Sequence, residues 1–258
     1  MTAGLPISAH GDPPVHLSFA ALDRLGLPHL STTRHCPGIT RPADTGSPFG
    51  PAAVERFAGS GLDLSRAAFL RQVHGAGVRR VDGEAGGLAG EGDILLTETP
   101  GVPLAIFTAD CLSIILFDPV GGRLAVAHVG WRGTVKSAAA VAARALAVSG
   151  SRPGDLVAAM SPSIGPCCYE VDRPVIDPLQ DAYSRDWQRW VRAVGGGKWM
   201  LDLWAANESQ LVTAGLSPDR IVNSRLCTAC RSDLFFSYRK EGSVGRLVTV
   251  AALPRSSR

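Results

Sequence analysis

Short apolar runs, broken by turn residues, dominate the middle of the chain. DILLTE (93–98), PLAIFTAD (103–110), SIILFDP (113–119) and RLAVAHV (123–129) each hold a run of three to five apolar positions and are partly β-branched. That length and composition predict β-strands. Their near-continuous hydrophobicity, without a polar alternate position, predicts burial on both faces. AAFLRQVHG (67–75), VRRVDG (78–83), DLVAAM (155–160), IVNSRL (221–226), FFSYR (235–239) and RLVTVAAL (246–253) read as further strands. GEAGGLAGEG (83–92) reads as a loop.

Helical signals are fewer. PAAVERFAGSGL, from residue 51, has proline in its first turn and glycine near its end. Residues 134–148 are alanine-rich with Gly150 just beyond, which predicts one long helix. Two more are expected over 178–191 and 203–216. Residues 1–50, rich in Pro, Gly, Ser and Thr, read as an irregular entry segment with a strand or two. The pattern contains no repeat and no convincing linker. It implies one α+β domain over 1–258, with mixed β-sheets of short strands flanked by helices.

Composition narrows the function classes. With 258 residues and 45% apolar content the chain can bury a substantial core. The net charge of +3 comes without a Lys/Arg cluster, so a nucleic-acid partner is not expected. Arginine outnumbers lysine 23 to 3. This bias reads as coding composition, although planar guanidinium groups also suit an anionic substrate. The start of the chain lacks the basic-then-apolar pattern of a secretory signal. No apolar stretch is long enough to span a bilayer. A soluble, cytoplasmic protein is expected, with its six cysteines as thiols or ligands rather than disulfides.

The candidate chemistry centres on His74, Cys111 and His128, in RQVHGAGV, FTADCLSIILFDP and VAHVGWRGT. Two imidazoles and a thiolate make a three-ligand set for Zn²⁺, with a fourth position open to water or substrate, as in catalytic sites. The three lie 37 and 17 positions apart, far from the close pairs of zinc fingers, and each sits near a strand end. Taken singly, each also reads as an ordinary buried His or Cys. In a strand, Gln72 shares a face with His74 while Arg71 points away. Arg132 and Gly133, at the start of the long helix, would offer an anion site for phosphate beside the metal. Asp110 would face away from Cys111 and cap a loop, or hydrogen-bond a ligand histidine if the strand ends there. Ser163 could donate to a substrate oxygen and Glu170 could move protons. Cys167 reads as a core group, the adjacent Cys167 and Cys168 as side chains that diverge, and the Cys227–Cys230 CxxC as structural.

The strings QVHG, TADC and AHVGWRG, with GDILLT, SPSIGPCCYEV and FFSYRKEGSVGR in order from residue 71 to 246, resemble the laccase-domain family, also called the YfiH or peptidoglycan editing factor PgeF family. The resemblance implies a YfiH-like fold and a purine nucleoside phosphorylase that also deaminates adenosine. It implies metal ligation by His74, Cys111 and His128, with Zn²⁺ as the cofactor and Cu²⁺ as a competitor for the same site. It implies small-molecule partners, a purine nucleoside and phosphate, and a monomer or homodimer. It adds Arg34, expected to reach the purine, and places Asp110 in the catalytic set with Arg34 and the three ligands. Here His35 and Cys36 replace the glycines that follow that arginine in the family, which sets this chain's N-terminal contacts apart. Some members affect the fidelity of cell-wall precursor synthesis. The family's older polyphenol-oxidase label would require many clustered histidines; this chain has six, without an HxH pair. Three alternatives remain: a Cys111-dependent amide hydrolase with a histidine base, a copper-dependent polyphenol oxidase, and a non-catalytic protein that binds a cell-wall precursor.

Overall fold

The computed structural model describes residues 6–43, 45–83 and 86–255. Its centre is a six-stranded sheet in the order 221–223, 157–160, 112–118, 123–129, 94–97 and 78–80. The inner strands pair antiparallel, and the two edge strands, Ile221–Asn223 and Val78–Arg80, pair parallel. A seven-stranded mixed sheet, ordered 7–10, 16–19, 29–32, 247–251, 104–108, 68–71 and 87–91, packs across it. A small three-stranded sheet joins 170–171, 198–201 and 191–195. The fold is α+β.

The two-faced burial predicted from the apolar runs is explicit in the side chains. In Leu112–Asp118, Leu112, Ile114 and Leu116 face one core, while Ile115 and Phe117 face the other. In Arg123–Val129, Ala125, Ala127 and Val129 alternate in the same way with Leu124 and Val126. Successive side chains on a strand point to opposite faces, so a strand clamped between two layers is apolar at consecutive positions. Each fully buried Leu, Ile or Phe contributes about 1.5–3 kcal/mol relative to exposure. The small side chains of Ala125 and Ala127 share their core with Ala138, Ala139, Ala142 and Ala143 of the helix Ala138–Val148, so sheet and helix can approach closely.

Four expectations are corrected. The helix expected over 134–148 is broken into Trp131–Val135 and Ala138–Val148 by Ser137, whose φ is 56°. The Thr134 carbonyl, which a continuous helix would pair with the Ala138 N–H, instead accepts from the Tyr183 hydroxyl (2.9 Å) and the Gln210 amide (2.8 Å). The helix expected over 178–191 runs Arg173–Ala182, so Pro174 rather than Pro178 is the first-turn proline; a 3₁₀ turn follows at Trp187–Trp190. The segment 235–239 is no strand: Phe235 is buried and a one-turn helix, Tyr238–Glu241, follows, its Lys240 N–H capped by Ser237. The loop expected over 83–92 contains the edge strand Gly87–Glu91, parallel to Ala68–Arg71; residues 84 and 85 lie outside the described residues.

Residues 6–50 are less irregular than their composition suggests, with strands Ile7–His10, His16–Phe19 and His29–Thr32. Several of their polar side chains are satisfied internally. Ser18 bonds His10 and Asp23, and His29 Nε2 accepts from the Phe19 N–H at 2.7 Å. No helix among the described residues is long and apolar enough to cross a membrane.

Candidate metal centre

Three strand ends deliver His74, Cys111 and His128 to one place. His74 lies just past the strand Ala68–Arg71, Cys111 immediately before Leu112–Asp118, and His128 near the end of Arg123–Val129. Their ligand atoms lie within 4.8 Å of one another. His74 Nε2 is 3.9 Å from Cys111 Sγ, and the two imidazole rings meet edge to face with centroids 4.8 Å apart. A tetrahedral ion with Zn–N and Zn–S bonds of about 2.0 and 2.3 Å would hold such an N···S pair about 3.5 Å apart. The donor set therefore fits a metal ion with small adjustment.

Asp93 organises this cluster, and sequence reasoning did not single it out. Its carboxylate accepts from Nδ1 of His128 at 2.8 Å, from the His74 N–H at 2.9 Å and from the Gly75 N–H at 2.6 Å. Its carbonyl accepts from the His128 N–H at 2.7 Å. The first bond fixes the His128 tautomer and leaves Nε2 facing the cluster, the usual carboxylate–histidine–metal arrangement. The others wrap the 73–75 turn around one carboxylate and hold His74 at a φ of 58°. For a non-glycine residue that conformation costs about 1–3 kcal/mol and persists only where its surroundings enforce it. The only sequence signal was an Asp directly before an apolar strand, in GDILLT. Gly130 supplies clearance, because a Cβ there would sit 2.9 Å from Cys111 Sγ and 3.3 Å from the His74 ring.

Without a cation the cluster stores charge. Burial pushes the Cys111 thiol up, but the charge and hydrogen bonds of His128, with His74, bring it down to about 6. Burial pulls His128 down, and the Cys111 thiolate and the Asp93 carboxylate outweigh it, raising it to about 9. Between these values the pair is thiolate and imidazolium. A cation that takes both donors must then displace the His128 proton. Zinc affinity should rise about tenfold per pH unit between about 6 and 9 and flatten above. Below about 6 it should be steeper, because Cys111 must lose a proton too. Competition with a chromophoric chelator across this range measures the slope; a flat profile would contradict the charged pair.

The cluster opens on a cleft of about 390 Å³. Gln72, Phe107, Arg41, Arg71, Tyr238 and Arg246 line it together with the three metal-site residues. Arg71 reaches it because the strand ends at that residue, contrary to the alternation expected for a continuing strand. Both ends of the Gln72 amide are engaged by the Phe107 backbone at 2.8 and 2.9 Å, so Gln72 shapes the wall. Arg41 and Arg246 went unnoticed in the sequence. Burial and the charge of Arg41 pull Arg246 below its ordinary value.

Other residues singled out from the sequence lie elsewhere. Asp110, at φ 83°, accepts from the Thr228 hydroxyl and from the Arg239 N–H, each at 2.6 Å, and so ties two later loops to the residue before Cys111. Arg34 pairs with Glu241 at 3.0 Å and covers the Phe236 ring, outside the cleft lining. Arg132 is exposed and stacks on Trp131, and its helix is only five residues long; Gly133 is buried in that helix. Ser163 is buried and accepts from the Trp204 indole at 2.7 Å. Glu170 pairs with Lys198 at 2.6 Å near the surface.

A three-donor cluster opening on a cleft lined by arginines defines a candidate metal-dependent enzyme that acts on an anionic or polar small molecule. The chain belongs to the family described as multi-copper polyphenol oxidoreductase laccase, whose model matches residues 52–254. It is 36% identical over 198 residues to the purine nucleoside phosphorylase YlmD of Geobacillus stearothermophilus, covering 72% of this chain and 71% of that protein. It is likewise 36% identical to the adenosine deaminase RL5 of an unknown prokaryotic organism, over 73% of this chain and 76% of that one. The crystal structure of the Bacillus licheniformis hypothetical protein YfiH has a TM-score of 0.83 with it at 28% identity, covering 96% of this chain and 99% of that chain.

Proposed function

We propose that this protein is a zinc-dependent purine nucleoside phosphorylase that cleaves adenosine, inosine or guanosine with phosphate and also deaminates adenosine. The observation that carries this reading is the cleft itself, where His74, Cys111 and His128 share one wall system with Arg41, Arg71 and Arg246. Its volume suits a nucleoside. Both activities are named among the relatives. A bound divalent ion would supply Lewis acidity at the three donors.

The chain's own groups divide the remaining work. Arg41 and Arg246 hold phosphate as charge-assisted donors, the role expected from the sequence of Arg132. Phe107 and Leu70 give the base an apolar wall, and Tyr238 brings a hydroxyl to the same cleft. Asp110 acts as a positioning residue, through the loop before Cys111. Zinc is favoured over multicopper chemistry because, among the described residues, this is the only cluster of metal donors that contains histidine.

One observation favours a second reading. A thiolate beside an imidazolium is also the resting state of a cysteine hydrolase. Incubation of the purified protein with inosine and phosphate should yield hypoxanthine and ribose-1-phosphate. Iodoacetamide should modify Cys111 only after chelation. Absence of phosphorolysis, with rapid labelling of Cys111 in zinc-loaded protein, would establish the hydrolase reading instead.

A further inference from the structure

Four cysteines converge outside the cleft lining, around Thr228, which bonds Asp110, and neither the fold nor the proposed reaction explains them. Cys167 and Cys168 lie in the turn after Gly165; Cys227 and Cys230 follow the strand Ile221–Asn223. All four sulfurs lie within 4.8 Å of one another. Cys230 Sγ is 3.4 Å from both Cys167 Sγ and Cys168 Sγ, and all four residues are free thiols. This reverses two sequence expectations: the adjacent cysteines do not diverge, and Cys167 is exposed rather than in the core.

The backbone is built to bring them together. A bridge pairs Ser163 with Cys227, and the Thr228 N–H donates to the Ser163 carbonyl at 3.0 Å. Gly165 allows the close approach, since a Cβ there would meet the Trp204 ring at 2.6 Å and Cys227 Cβ at 3.2 Å. Its N–H donates to Cys227 Sγ at 3.2 Å, and the Cys230 backbone bonds the same sulfur. Thiols are weak hydrogen-bond partners for one another, so their mutual contacts alone give little reason to gather four of them. A tetrahedral tetrathiolate with Zn–S bonds of about 2.3 Å spaces its sulfurs about 3.8 Å apart, and N–H donors on a ligand sulfur stabilise the thiolate.

We propose that Cys167, Cys168, Cys227 and Cys230 form a second metal site, a closed tetrathiolate for a thiophilic divalent cation, with zinc as the first choice. The thiol protons leave to solvent as the cation binds. Four protein ligands leave no open position, so this site is structural, unlike the three-donor cluster. Its effect reaches the cleft through Thr228, whose hydroxyl holds Asp110 beside Cys111.

The test uses the full chain in two forms. In the Cys111→Ala protein, which lacks the three-donor set, one zinc per chain should remain. Replacing that zinc with Co²⁺ should give the strong sulfur-to-metal charge-transfer bands of a tetrathiolate. Adding Cys167→Ser and Cys230→Ser should remove the metal. In the unsubstituted protein, the exposed Cys167 and Cys230 should resist maleimide until a chelator is added. Immediate labelling of both, no metal in the Cys111→Ala protein, or a disulfide among the four in the mass spectrum would each overturn the proposal.

Discussion

Cys111→Ala is expected to lower phosphorolysis by at least about a thousandfold and to remove the metal from the three-donor cluster. A thousandfold is roughly 4 kcal/mol of transition-state stabilisation, within the several kcal/mol that a Lewis-acid cation supplies. The variant should still fold. Cys111 is half-buried in a turn, and its side chain contacts the two histidines rather than the main cores. Its thermal midpoint without metal should therefore stay close to that of the parent, while activity and the zinc of the three-donor cluster disappear together and the zinc of the four-cysteine site remains. Activity that persists when the three-donor cluster has lost its zinc would remove that metal from the reaction.

The second large effect is expected at Asp93. An Asp93→Asn protein keeps the shape but loses the charge and one acceptor oxygen. One carboxylate now serves the 73–75 turn and the His128 ring together. With an amide, an –NH₂ group must face one of these donors, leaving a buried N–H unpaired at a cost of about 1–3 kcal/mol. His128 also loses the anion that helps raise its pKa to about 9 and fixes its tautomer. Zinc affinity should fall about 10- to 100-fold, the usual cost of losing such a partner. Isothermal titration of metal-free protein, alongside a melting curve, separates the two consequences. Unchanged affinity would show that the His74 turn and the His128 tautomer do not depend on this carboxylate.

What the sequence made legible follows from where the determining contacts lie. Strands such as Leu112–Asp118 were readable because burial on both faces writes itself as consecutive apolar residues, here Ile114 to Phe117. The break at Ser137 was not, because the groups that divert the Thr134 carbonyl, Tyr183 and Gln210, are 49 and 76 positions away. His74, Cys111 and His128 stood out because metal donors are few and their flanking strings are distinctive. Asp93 acts largely through backbone N–H groups of a distant turn, which leave no trace in residue type. Arg132 followed a helix-terminus argument that loses its basis once the helix is only five residues long and the Arg132 guanidinium lies over the Trp131 ring. The cysteine quartet was hidden by the expectation that adjacent side chains diverge, whereas the turn at 167–168 brings both to the same cluster.

The central claim is that three side chains from three strand ends hold one catalytic cation. Anomalous diffraction at the zinc edge, on crystals of protein shown to be active, tests it directly. A peak about 2.0 Å from the His74 and His128 nitrogens and about 2.3 Å from the Cys111 sulfur is the expected result. Active protein whose anomalous map is empty between these three residues would contradict it.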